Sequence, residues 1–257
     1  MKKFPVTAIS FVAWAMLCGL LVAEPTAIDV RVISKGAKFV GTSMGGVEVI
    51  IRDNETGEIL AHGKTAGTTG DTAKIMTEQA VPHAPVSTKD AAVFHSQVEI
   101  DEPRQIEVTA RGPLAQPQAI NTVSATQWIV PGKPITGGDA FLLELPGLIV
   151  DVLGPPAHLK LPVSTKSVAV RANVCMMCGC PVKPEGLWDA NRLEAAGIVY
   201  RDGKKLGRVP LEYAGQTSQF RGVVPVDGVG AYEVVVFAYD PANGNTGVDK
   251  TTFVIKE

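Results

Sequence analysis

Charge of one sign is missing from this chain. Lys and Arg total 24 against 26 Asp and Glu, a formal net charge of -2. Without an excess of cations there is little to hold a phosphate backbone, so nucleic acid is excluded as a partner. Cysteine is scarce, with 4 residues in 257, too few for a scaffold built on disulfides. Long amphipathic periodicity is also absent. The 26 Gly and 18 Pro are spread along the chain and argue against long helices and coiled coils. After residue 23 no apolar run is long enough to span a bilayer, so no membrane span is expected in the mature chain.

Catalytic signatures are missing as well. Ser10, Ser43 and Ser87 lack a G-x-S-x-G setting. The stretches "GTSMGG" and "GTTGDT" are Gly-rich, but no helix is expected after them, so they read as loops and not as phosphate cradles. His62, His83, His95 and His158 are scattered, with no metal-ligand spacing. Asp53, Asn54 and Glu55 fit a hairpin turn without calcium. No catalytic and no cofactor-binding residue is assigned, and the chain is not expected to be an enzyme.

What is present begins with an address. Lys2 and Lys3 precede an uncharged stretch from Phe4 to Ala23, mostly apolar from Ile9 to Val22. Residues 1–23 are therefore expected to be a cleaved signal peptide, with the mature chain starting near Glu24 in the periplasm or outside the cell. Removal of the signal takes Cys18 with it. Cys175, Cys178 and Cys180 then remain in an oxidising compartment.

The mature chain reads as strands. With 46% hydrophobic residues it can bury real cores. Val47, Val49 and Ile51 alternate with Glu48, Ile50 and Arg52, and after the turn Asp53–Gly57 a return strand runs over 58–62. Further strands are expected at 94–100, 106–110, 122–130 and 140–145. The segment "GGVEVIIRDNETGEILAHGKTAGTTGD", with "VEIDEPRQIEVTARGP", resembles the transthyretin-like or carboxypeptidase-regulatory-like sandwich modules of exported proteins. That resemblance implies a non-catalytic accessory domain over 24–145.

From Pro146 a second set of seven strands is expected, at 148–152, 168–174, 195–200, 207–213, 219–226, 232–239 and 248–255. "VVPVDGVGAYEVVVFAYDPANGNTG" resembles the closing hairpins of bacterial Ig-like domains, which implies an Ig-like sandwich over 146–257. The fold class is thus all-β, two tandem antiparallel sandwiches after a signal peptide.

One segment breaks the alternation. Cys175-Met176-Met177-Cys178-Gly179-Cys180-Pro181 concentrates all three mature Cys and two Met, and it is expected to be a loop. Three readings stay open. A disulfide forms most easily between Cys175 and Cys178, leaving Cys180. A metal site would use Cys175, Cys178, Cys180, Met176 and Met177, soft ligands that select Cu(I). Thiol redox chemistry would use a Cys-x-x-Cys pair, although no helix follows to lower a thiol pKa. The function expected is that of an exported, non-catalytic binding or accessory protein of the cell envelope. Its partner would be a protein or an envelope component. The alternatives are copper binding or thiol redox, and a purely structural surface component.

Overall fold

The computed structural model describes residues 23–79 and 81–257. The expected signal peptide, except for Ala23, lies outside the described residues. Among the described residues no helix is long and apolar enough to cross a membrane.

The first sandwich holds seven strands: β1 (Glu24–Ser34), β2 (Glu48–Asp53), β3 (Ile59–Lys64), β4 (Phe94–Ile100), β5 (Arg104–Gly112), β6 (Asn121–Ile129) and β7 (Phe141–Leu145). They form two sheets, ordered β4-β1-β7 and β3-β2-β5-β6. Strand β1 runs parallel to β7, and every other pairing here is antiparallel. Period-2 alternation explains the core between the sheets. Ile28, Val30 and Val32 of β1 face Val49, Ile51, Ile106 and Val108 in one buried cluster.

The second sandwich holds β8 (Leu148–Gly154), β9 (Leu159–Pro162), β10 (Ser167–Met176), β11 (Glu194–Arg201), β12 (Lys204–Pro210), β13 (Glu212–Tyr213), β14 (Gln219–Pro225), β15 (Gly230–Tyr239) and β16 (Thr246–Lys256). Its sheets are ordered β13-β14-β10-β8 and β12-β11-β15-β16-β9. Taken in chain order as A, A′, B, C, C′, D, E, F and G, these are the D-E-B-A and C′-C-F-G-A′ sheets of an Ig-like sandwich. Near the start of β15, the Tyr232 hydroxyl lies 3.0 Å from both the Gly228 carbonyl and the Asp227 carboxylate. This is the tyrosine corner of that fold. The Tyr232 ring stacks on Phe253 at 4.8 Å between centroids.

Several expectations need correction. Strand β1, unassigned in the sequence reading, is the centre of its sheet. Strands β4 and β5 flank the turn at 101–103 but join different sheets. The expected strand at 207–213 is divided between β12 and β13, which lie in opposite sheets, with Leu211 buried between them. A short helix, α1 (Thr72–Met76), does follow "GTTGD", because the Asp71 carboxylate accepts the Lys74 N–H at 2.8 Å and caps it. Its five residues make barely more than one turn.

Candidate functional site

The Cys/Met segment is not a free loop. Strand β10 continues through Cys175 and Met176, pairing Cys175 with Ile149 and Met176 with Leu148 on β8. The chain then reverses in a tight turn. The Gly179 N–H donates to the Met176 carbonyl at 2.8 Å, and the Met176 N–H donates to the Cys180 carbonyl at 3.0 Å. Gly179, at φ +78, supplies the left-handed residue that such a three-residue hairpin requires.

Burial explains why the alternation stops here. Along β10 the residues alternate exposed and buried up to Arg171 and Ala172, and from Val174 through Met176 all are buried. Strand β8 likewise begins with three buried residues in succession, Leu148, Ile149 and Val150. A strand covered on both faces reads as a continuous apolar run. The second cover is the first sandwich. Ile149, Cys175 and Met177 belong to the first sandwich's core, whereas Leu148, Met176, Cys178 and Cys180 belong to the second. In the other direction Ala37, just after β1, belongs to the second core. Met177 is fully buried. On the outer side of the turn, a Cβ placed on Gly179 would lie 2.6 Å from Met44 Sδ, so Met44 of the first sandwich closes over this glycine.

Polar contacts tie the same junction. Asn245, 1% exposed, accepts the Gly147 N–H through Oδ1 and donates from Nδ2 to the Lys35 carbonyl, both at 2.9 Å. Trp188 Nε1–H donates to the Gly36 carbonyl at 3.0 Å. Asn121 Nδ2 donates to the Pro146 carbonyl at 2.9 Å. Beside the turn lies a cleft of about 470 Å³ lined by Gly36, Met176, Trp188, Leu193, Asp240 and Asn243 among others.

The five candidate ligands are therefore divided between two cores, Cys175 and Met177 in the first and Met176, Cys178 and Cys180 in the second. The disulfide links Cys178 with Cys180, not Cys175 with Cys178, because the strand carries Cys175 to the opposite face of the hairpin from the other two. Cys175 is a free, buried thiol. Burial, with the Asp151 carboxylate adding to it, pushes its pKa up to about 11. Such a thiol holds its proton at neutral pH and is neither a good nucleophile nor a ready thiolate ligand. Among the described residues, no group of three or more His, Cys, Asp or Glu side chains is placed to hold a metal ion. All four histidines are exposed.

The residues that complete the junction, Gly36, Met44, Trp188 and Asn245, carried no sequence signal of their own. Their contacts join positions far apart in the chain. The signal that was present is the pair of unbroken apolar runs at 148–150 and 174–178.

No protein-family model matches the chain, and a comparison with curated proteins returns no match. Among solved structures the chain is similar to fibronectin(III)-like modules of Clostridium thermocellum CbhA, at 9% identity and TM-score 0.30, covering 91% of this chain and 94% of that one. It is similar to a tandem of titin Ig domains at 12% identity and TM-score 0.24, covering 91% and 96%. It is also similar to an engineered protein at 16% identity and TM-score 0.32, covering 47% of this chain but spanning only 22% of that one. The architecture above rests on strand order and register and not on these likenesses.

Proposed function

We propose that this is an exported, non-catalytic binding or accessory protein of the cell envelope, in which two β-sandwiches act as one unit. The first sandwich is read as a transthyretin-like module. Its seven strands, with the first parallel to the last, suit that reading. The second is the Ig-like module described above. In this reading the Cys/Met segment is the joint between them. One observation carries it: neighbouring residues of a single hairpin, Met176 and Met177, are buried in different cores. The disulfide closes the turn, and the buried thiol of Cys175 fills space in the first core.

The test is an anaerobic Cu(I) titration of the fully reduced protein against a chromogenic chelator, with thermal unfolding measured in parallel. The joint reading expects no stoichiometric copper and a loss of stability when Cys175 or Met177 is truncated. One tightly held Cu(I) per chain, lost when Cys175, Cys178 and Cys180 are all changed to Ser, would replace the joint by a soft-metal site.

A further inference from the structure

At one end of the first sandwich an indole and two amides stand in a row. Gln105 on β5 and Trp128 on β6 are cross-strand partners, so their side chains share one face of the sheet. Asn54, just after β2, is tied to Gln105 twice. Its backbone N–H donates to the Gln105 carbonyl at 2.8 Å, and its Nδ2 donates to Gln105 Oε1 at 2.7 Å. The row borders a cleft of about 480 Å³ formed by the turn after β2, the turn before β5 and the end of β6. Clefts that hold small ligands span ~300–1,000 Å³.

The cleft is held rigid from below. Asp53, 4% exposed, accepts the Glu55 and Thr56 N–H groups at 2.9 and 2.8 Å and lies 3.3 Å from Arg104 Nη1. Arg104 Nη2 lies 3.4 Å from the Asp101 carboxylate. Arg104 is thus engaged by two carboxylates, and among the described residues no other cation lines the cleft. Glu55 and Glu102, also in its lining, form no ion pair among the described residues. Trp128 is 63% exposed. Beside it on the same face stand Gln105, Thr126 and Glu107, all polar. An indole set alone among polar groups lacks the surrounding apolar area of a protein interface core.

We propose that this cleft binds a neutral saccharide chain, with one hexose ring lying on the Trp128 indole and its hydroxyls bonded to Asn54 and Gln105. A hexose with equatorial hydroxyls has an apolar C–H face and a polar rim. The indole matches the face. The amides match the rim. Their mutual bond leaves Asn54 Oδ1 to accept and Gln105 Nε2 to donate, and a hydroxyl does both. Glu55 and Glu102 offer further acceptors to hydroxyls and repel acidic sugars. The proposal names a ligand class for the binding role proposed above and rests on that reading.

The experiment is isothermal titration of the purified protein with a β-1,4-linked glucose tetramer and, separately, with a β-1,4-linked N-acetylglucosamine tetramer. The two arms distinguish a plain hexose chain from an amino-sugar chain. Wild type should bind at least one of them with Kd below ~1 mM. Trp128→Ala should weaken that binding at least ~tenfold, the loss that truncating an aromatic anchor brings. Trp128→Phe keeps a ring and should lose less, and Asn54→Ala should cost several-fold through one lost hydrogen bond. Both residues are exposed, and unchanged melting temperatures confirm that the variants fold. Failure of both tetramers to bind at ~10 mM overturns the proposal. Binding that Trp128→Ala leaves unchanged places the site elsewhere and overturns it equally. Either failure leaves the joint standing, because copper titration and thermal unfolding decide that reading on their own.

Discussion

Replacing Met177 by alanine should destabilise the first sandwich, although Met177 belongs to a hairpin of the second. The side chain is fully buried within the first core. Truncation removes about three heavy atoms, worth ~2.4 kcal/mol by transfer alone at ~0.8 per methylene. The cavity left behind brings the expected loss to ~2–5 kcal/mol. For a chain of this size ~1 kcal/mol moves the melting temperature by ~2–4 °C, so a fall of ~5–15 °C is expected by calorimetry. Met177→Leu conserves volume and should cost under ~1.5 kcal/mol. In urea, the midpoint should fall while the slope stays unchanged. A loss below ~0.5 kcal/mol for Met177→Ala is what an exposed residue would give, and it would refute the burial of this turn against the first sandwich.

The remaining predictions concern its neighbours. Cys175 should resist thiol reagents in the native protein and become reactive after unfolding, as a burial-protected group does, giving one thiol per chain in a protein that starts at Glu24. Its folded pKa, pushed up to about 11 by burial, lies above the ordinary thiol value of 9.0. The unfolded state therefore loses its proton first, and stability present below pH ~9 should decline as pH rises toward ~11. That decline should be smaller in Cys175→Ala, and a pH profile identical in the two proteins would contradict it. Asn245→Ala strands the Gly147 N–H and the Lys35 carbonyl, so a loss of ~2–4 kcal/mol by urea unfolding is expected. A neutral result there would mean that water replaces the amide. Tyr232→Phe keeps the stack on Phe253 and loses only the hydroxyl contacts to Asp227 and Gly228, so a loss of ~1 kcal/mol is expected.

Strand positions were largely legible because local alternation reports which side of a strand is covered. The hairpin β2–β3 and the run from β14 to β16 sit where turns and period-2 patterning place them. Strand β1 carries the same signal in Ile28, Val30 and Val32, against Asp29 and Arg31, yet the sequence reading assigns no strand there. Sheet membership was not legible, since nothing in "DEP" at 101–103 says whether the chain turns back or crosses to the other sheet. The Cys/Met segment was singled out for its sulfur, and that chemistry suggested convergence. Its apolar continuity was the more informative property. Cys175 and Met177 lie two apart on one side of the hairpin, and Met176 lies on the other, so a strand-like backbone divides them between cores. The distant halves of the joint, Met44 and Asn245, follow only from the folded chain.

The central claim, that the turn at Gly179 packs against the first sandwich, is tested most directly by a double-mutant cycle between Gly179→Ala and Met44→Ala. Gly179→Ala carries two penalties: an alanine at φ +78, costing ~1 kcal/mol, and a methyl driven against Met44 Sδ. Met44→Ala removes the second penalty and leaves the first. The account predicts that the double variant is more stable than the sum of the single losses implies, by ~1 kcal/mol or more, within the range seen for residues in contact. Losses that add within ~0.3 kcal/mol would show that Met44 and the turn do not touch, and the joint would have to be abandoned.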